Sequence, residues 1–438
     1  MCEKRHPLWS RPSVAGLVIG LCAAPQALGS GFAVPEISTA GIGMANALVA
    51  NPHERGAVPY NPAAMAFQDE SWLAVGSLLI GPSFSVDTSS GSHDSDGAEW
   101  LAAPMIQAAL TIDERWSAGL SVTAPFGLET RWKAKTFPPL TGRIPLPGPP
   151  AGPGGSIPAS PQPTRSNLEI LDFTPAVTYG FSDELAVSAG ADIYWVKSAE
   201  LDSTITALEG DGTGWGFNLS ALYAKGPFSA GINFHSSASV KVEGSYSALN
   251  PTMVLVGALP PSQTAELDLN LPWRLQLGVR YALTPALAVE VDWTRNGWSS
   301  FDEIKVTGDL DGSTILKDTN DWEDANAYRL GVTYQLQDQT QLRFGYSYDE
   351  TPQGDGHFSA RVPDNDRHLF AVGVGHYLSN GWQVEAGYMY VMFEERKYRS
   401  TTPYLGGGDI NGTDAINGDF DAHAHLIGLE ISKSFDAF

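Results

Sequence analysis

Leu267–Tyr281 reads LDLNLPWRLQLGVRY. Leu267, Leu269, Leu271, Trp273, Leu275, Leu277, Val279 and Tyr281 fall on one side of a two-residue period; Asp268, Asn270, Pro272, Arg274, Gln276, Gly278 and Arg280 fall on the other. An extended strand sends successive side chains to opposite faces, whereas a helix would mix the two sets around its circumference. The stretch is expected to be one long strand with an apolar and a polar face. Pro227–Glu243 repeats the pattern, with Phe228, Ala230, Ile232, Phe234, Ala238, Val240 and Val242 on a single apolar face. Leu342, Phe344, Tyr346 and Tyr348 alternate in the same way with Gln341, Arg343, Gly345, Ser347 and Asp349.

Outward from these runs, connections alternate between short and long. Asp113-Glu114-Arg115, Ser182-Asp183-Glu184, Lys225-Gly226-Pro227, Leu283-Thr284-Pro285, Gln337-Asp338-Gln339 and Ser379-Asn380-Gly381 have tight-turn compositions. Stretches 88–96, 134–165, 203–213, 246–263, 308–321, 351–365 and 399–420 read as long loops. Strands of about ten residues or more, aromatics near their ends, and short turns facing long loops describe a transmembrane β-barrel better than a soluble sandwich. The fold class is all-β, a transmembrane antiparallel β-barrel of about 14 strands, the even count that closure expects. Arg274, Arg280, Glu290, Asp292, Arg329, Arg343 and Glu385 then line a polar lumen, where opposite charges pair across the wall.

The beginning of the chain reads differently. Lys4, Arg5 and Arg11 precede the apolar run Val14–Ala24, and Ala27-Leu28-Gly29 is a small-x-small site, so residues 1–29 read as a secretory signal peptide. Both cysteines, Cys2 and Cys22, fall inside it, which leaves the mature chain without a thiol or disulfide. Removing three bases and one acid takes the formal charge from −23 to −25, which argues against nucleic acid and anionic surfaces as partners. Residues 30–70 are rich in Gly, Ala, Pro and Asn and do not alternate. They are expected to form a plug, or hatch, inside a barrel of residues 71–438.

Two loops and one strand stand out. Thr136–Arg165 carries ten prolines and reads as partly extended polyproline. Ser247–Gln263 holds Met253, Val254, Leu255 and Val256 without any charge, which suits a loop that catches something greasy. Pro125 interrupts Leu120–Trp132, an otherwise good strand; proline cannot donate to a ladder and Gly127 softens the same place, so a bend or a break in the wall is expected there. No Gly-x-Ser-x-Gly elbow is present and the histidines are scattered, so an enzyme is not expected. Asp421, His423 and His425 share a strand face, and Asp409, Asn411, Asp414, Asn417 and Asp419 have calcium-like side chains without a complete loop pattern; no metal and no cofactor is assigned.

Gly31-Phe32, Asn61-Pro62-Ala63, the run Pro125–Glu129, Leu269-Asn270-Leu271-Pro272 and Pro363-Asp364-Asn365-Asp366-Arg367 occur in that order along the chain. Together they resemble the FadL/TodX family of outer-membrane transporters for long-chain fatty acids and hydrocarbons. The resemblance implies a fourteen-stranded barrel closed by an N-terminal hatch to which Gly31, Phe32, Asn61, Pro62 and Ala63 belong. It implies passive uptake of a hydrophobic molecule, captured outside and released sideways through a gate at Pro125, Phe126 and Gly127 where the third strand bends inward.

The chain also departs from the family pattern. Its third external loop, Asp202–Gly214, is short, and Asp202 stands where the fatty-acid transporters place a base. Lys317, Arg274 and Arg329 remain as candidate anchors for an acid head group, with Met253 and Leu255 as apolar contacts. The expected partners are a fatty acid or hydrocarbon, outer-membrane lipid and the barrel-assembly machinery, with the protein a monomer in a Gram-negative-type outer membrane. A general porin and a surface-interaction protein acting through the Pro-rich loop are the alternatives.

Overall fold

A computed structural model of the chain describes residues 31–96, 100–141, 143–145, 156–158, 161–405 and 408–436. The expected signal peptide and much of the Pro-rich loop lie outside the described residues. Within that loop, Pro138–Thr141 is a 3-10 turn, and Arg143–Pro145 pairs with Ser156–Pro158.

Fourteen antiparallel strands close into a barrel. They are β1 Ser71–Thr88, β2 Leu101–Thr111, β3 Trp116–Arg131, β4 Pro163–Ser182, β5 Leu185–Ser203 and β6 Thr206–Lys225. β7 runs Phe228–His235 and Ala238–Ala248, and β8 runs Gln263–Leu271 and Trp273–Thr284. β9 runs Leu287–Gly297 and Glu303–Gly308, and β10 runs Thr314–Thr319 and Ala325–Gln337. β11 Thr340–Asp349, β12 Arg367–Tyr377, β13 Trp382–Phe393 and β14 Gly418–Phe435 complete the circuit. β14 returns to β1 over a long register, from Ser71 opposite Phe435 to Asp87 opposite Asp419. Closure removes the unpaired edges that an open sheet would expose.

The two faces do not keep one meaning along a strand. In lower β8, Leu277 and Val279 point outward and are 40% and 50% exposed; in upper β8, Leu269 and Leu271 point inward and are 5% and 1% exposed. The apolar set read as one face in Leu267–Tyr281 therefore splits at Pro272. β7 makes the same inversion at Ser236-Ser237, between exposed Ile232 and buried Val240 and Val242. The reason is the change of solvent. Low in the barrel, lipid outside demands apolar side chains; high in the barrel, water is outside and the apolar side chains turn in.

The level of that change is marked on the outer surface. Trp293, Tyr328, Tyr348, His368, Met392 and His423 are successive cross-strand partners from β9 to β14. Two residues further outward, the same strands or the loops that leave them carry Arg295, Asn326, Glu350, Asp366, Glu394 and Asp421. The row is an interfacial girdle. His423 belongs to it and His425 lies beside it, both rings tilted against Tyr390, and among the described residues no group of three His, Cys, Asp or Glu could hold a metal. The acidic stretch 409–419 staples loops: Asp409 accepts the Thr319 N–H (2.6 Å), Asp414 that of Tyr404 (2.9 Å) and Asn417 that of Ser400 (2.7 Å).

One expected loop is absent. Stretch 203–213 is strand, because β5 ends at Ser203 and β6 starts at Thr206. Gly210, Gly212, Gly214 and Gly216 put four successive glycines on the inward side of β6, and β7 lies close against them.

Candidate functional site

Residues Phe32 to Met65 are nearly all buried within the barrel, and their backbone is satisfied by inward-facing side chains of its wall. Asp292 and Glu290 of β9 accept the Val49 and Ala50 N–H groups at 3.0 and 2.7 Å. Ser229 donates to the Ala50 carbonyl (2.6 Å), Asn233 to that of Tyr60 (2.7 Å), Thr178 to that of Pro62 (2.9 Å) and Gln107 to that of Ile37 (3.1 Å). A segment without ladders of its own must find such partners, and polar wall residues supply them. Asn61 caps the 3-10 turn Pro62–Phe67 through the Ala63 N–H, and its amide donates to the carbonyls of Val49 (2.7 Å) and Ala221 (3.1 Å). Gly231 and Gly345 let the segment come close, since a Cβ at either would lie 2.0 Å from the Val49 carbonyl or 2.2 Å from the Met44 backbone.

The lower lumen around this segment is charged, and several of its charges are paired. Arg343 of β11 bridges Glu54 (2.8 Å) and Glu385, and Asp349 holds both Arg329 (3.3 Å) and Arg367 (3.2 Å). Arg280 lies 3.8 Å from Glu290. Pairing across the wall is thus as the alternation implied, with the N-terminal segment as an additional partner.

The wall itself is interrupted at β3. The β2–β3 ladder runs from Thr111 opposite Ser117 to Ile106 opposite Val122 and then stops. Leu101–Met105 stay on β1, while Phe126–Arg131 stay on β4 after a register shift between Thr123 and Phe126. From Pro125 to Thr130 the exposed-and-buried alternation disappears and every residue is buried, so this part of β3 has moved into the lumen. At the top β3 meets the end of the preceding loop, where the Asp96 N–H donates to the Arg131 carbonyl (2.9 Å). The result is a framed opening in the ladder between β2 and β3, with Pro104 and Pro125 on its two edges contributing no N–H to leave unpaired.

The inward-bent edge of β3 is not bare. The Val34 N–H donates to the Pro125 carbonyl (2.8 Å) and the Gly127 N–H to the Phe32 carbonyl (2.9 Å), making an antiparallel bridge between Ala33 and Phe126. Phe32 thereby enters an aromatic cage. Its ring centroid lies 4.6 Å from Trp298, 5.2 Å from Phe301, 5.9 Å from Trp322 and 6.0 Å from Phe126. Trp298 and Phe301 come from the break in β9, and Trp322 from the break in β10. Above Phe32 lies an apolar pocket of about 50 Å³, lined by Leu128, Leu168, Leu201, Leu269, Ile304 and Val362 among others. Gly31 is held at the other side: its N–H donates to Asp364 (3.0 Å), which also accepts from Thr351 (2.6 Å). Burial pushes the Asp364 carboxyl up to about 6, although Thr351, Gly31, Arg367 and Arg396 pull the other way.

The residues expected to bind ligand are scattered. Lys317 is on the outer surface of upper β10, paired with Glu303 at 2.7 Å. Arg329 is buried against Asp349 and Thr294, below the pocket. Arg274 is half-buried in the field of Asp172 and Asp192. Met253, within the short helix Pro251–Leu255, is buried beside Ile205, and Leu255 is 86% exposed. None of the five lines the apolar pocket. Sequence reasoning missed the cage residues Trp298 and Trp322 and also Arg361, whose guanidinium donates to Asp318 (3.0 Å) and to the Asp202 carbonyl (3.0 Å). Arg361 thus reaches the end of β5 from a loop far away in sequence, a contact for which the linear chain carries no signal.

The family model described as outer membrane protein transport protein (OMPP1/FadL/TodX) matches residues 20–142 and 154–435. The chain belongs to this family. It is 22% identical to the long-chain fatty acid transport protein of Escherichia coli O6:H1, over 94% of this chain and 95% of that one. It is 23% identical to a 47 kDa outer membrane protein of Pasteurella multocida, over 94% and 96%. Its fold is similar to that of a Pseudomonas aeruginosa FadL homologue, with a TM-score of 0.75 at 20% identity, covering 92% of this chain and all of that one. The Ralstonia pickettii toluene transporter TbuX gives a TM-score of 0.65 at 15% identity, covering 91% and 98%. Family membership and the closed barrel make this a multi-pass outer-membrane β-barrel of a transporter family for fatty acids or hydrocarbons.

Proposed function

We propose that the protein carries hydrophobic molecules passively into the outer membrane and releases them sideways through the opening between β2 and β3. The observation that carries this reading is the double role of Phe32–Val34, whose side chain fills the aromatic cage while its backbone closes the bent edge of β3. A ligand that takes the place of the Phe32 ring also withdraws the strand that covers Pro125 and Gly127. Residues 31–70 then act as a hatch: Asn61-Pro62-Ala63 is the fixed end, tied to β4 and β6, and Gly31–Val34 is the end that moves. Sideways exit suits an apolar solute, since the lower lumen is filled and charged whereas the wall opening faces lipid.

The test uses the geometry of the bridge. Because hydrogen bonds flank Ala33 and Phe126 without joining them directly, the two form a non-hydrogen-bonded pair, with Cα atoms about 4.5 Å apart and within disulfide range. The double variant Ala33→Cys/Phe126→Cys, in a mature chain free of other cysteines, is expected to take up ligand slowly when oxidised and to recover on reduction. Equal uptake in both states would remove the gating role of this contact.

A further inference from the structure

The charges around the pocket have a pattern of their own. Arg361, 4% exposed, sits next to the pocket-lining Val362 and would be the natural anchor for an acid head group. Its Nε donates to Asp318 at 3.0 Å, and its Nη1 to Ser166 at 3.3 Å and to the Asp202 carbonyl at 3.0 Å, so the carboxylate position beside Nε is taken. Asp318 is itself buried at 3% exposure. Arg165 is occupied by Glu200, which lines the pocket, and lies 3.9 Å from buried Glu129; Arg131 is also on Glu129. Below the cage, Arg274 faces Asp172 and Asp192, with His235 bound to Asp192 at 2.9 Å. Asp364 adds another carboxyl beside Gly31. Each arginine named here therefore has a carboxylate partner or stands among carboxylates. The cage's spare polar capacity is uncharged: the indole N–H groups of Trp298 and Trp322 are buried without an acceptor.

We infer that the pocket selects uncharged hydrophobic molecules against carboxylates, and that Asp318 is a specificity-determining residue because it occupies Arg361. A ligand carboxylate would have to displace Asp318 or Glu200, leaving a buried carboxylate without its partner, or else lie among carboxylates of its own sign. A hydrocarbon loses nothing by these pairings, and a ligand with a neutral oxygen gains two indole donors.

The inference rests on the channel reading, and the experiment separates the two. Cells without a transporter of their own, expressing this protein, are given labelled decane, 2-decanone and decanoate. The two neutral compounds are expected to enter and decanoate to enter no faster than in cells lacking the protein. Decanoate uptake equal to that of decane would overturn charge selection and leave the channel standing; uptake of none of the three would overturn the channel reading, and this inference with it. Asp318→Asn, which frees Arg361, is expected to raise decanoate uptake about tenfold, the equivalent of one charge-assisted hydrogen bond, with decane unchanged. Should that variant fail to assemble, Glu200→Gln frees Arg165 and makes the same prediction. Decanoate uptake unchanged in an assembled variant would remove the pairing as the cause of selectivity.

Discussion

The lower and upper halves of the barrel are built from the same alternating strands with the faces exchanged. Below the girdle that runs from Trp293 to His423, apolar residues face lipid and charges face a filled lumen. Above it, Asp268 and Asn270 face outward while Leu267, Leu269, Val240 and Val242 turn in, toward the pocket or the barrel's apolar interior. A single strand thus spans two solvents. The exchange is made by irregular residues between its halves: Pro272 in β8, Ser236-Ser237 in β7, and the inserts of β9 and β10 that bring Trp298, Phe301 and Trp322 inward. The transition between the two halves is also where β3 leaves the wall. The binding chemistry is therefore made by the breaks in the strands, while the strands themselves set where those breaks fall.

The largest effect is expected where the lower half is most committed to paired charge. Arg343→Met removes the cation between Glu54 and Glu385 and strands two buried carboxylates, costing about 3–5 kcal/mol. Urea unfolding of the barrel in lipid measures it, and a loss below about 1 kcal/mol would mean that the lower lumen admits water freely.

The exchange of faces is broken or sharpened by placing one charge at two positions of the same strand. Leu277→Arg puts a guanidinium into the lipid belt and is expected to cost about 2–4 kcal/mol. Asn270→Arg, seven residues away on β8 and outward in the upper half, is expected to change stability by less than about 0.5 kcal/mol. Equal costs would place lipid against both halves and contradict the inversion at Pro272.

The smallest effect concerns the joint between the halves. The Asp364 carboxyl, held at about 6 by burial, lies above the ordinary carboxylate value of about 4. A carboxyl raised in the docked state contributes most below the ordinary value, and that contribution is lost as pH rises through about 6. The Val34 and Gly127 amides are therefore expected to exchange severalfold more slowly at pH 5 than at pH 7.5 after correction for intrinsic rates. Asp364→Asn should flatten the difference; a persisting difference would place the titrating group elsewhere.

Alternation in Leu267–Tyr281 and its neighbours determined that the chain forms long strands, and the alternation of short turns with long connections determined a barrel of about fourteen of them. The interruption of the third strand at Pro125–Gly127 was legible because proline and glycine act on the backbone within a few residues of themselves; Gly31-Phe32 and Asn61-Pro62-Ala63 stood out only by resemblance to a family. Which way a face points was not legible, since a two-residue period is the same whether lipid lies outside or a pocket lies inside. Nor were the partners of Arg361, Arg343 or Phe32, because each meets side chains dozens to hundreds of residues away, brought together only by closure of the barrel. Tertiary structure alone decided that Lys317 and Leu255 lie outside the pocket, and that Arg361, already bound to Asp318, stands beside it. Local backbone chemistry is written in neighbouring residues; the solvent on each side of a wall, and the charge left over inside it, exist only once the wall has closed.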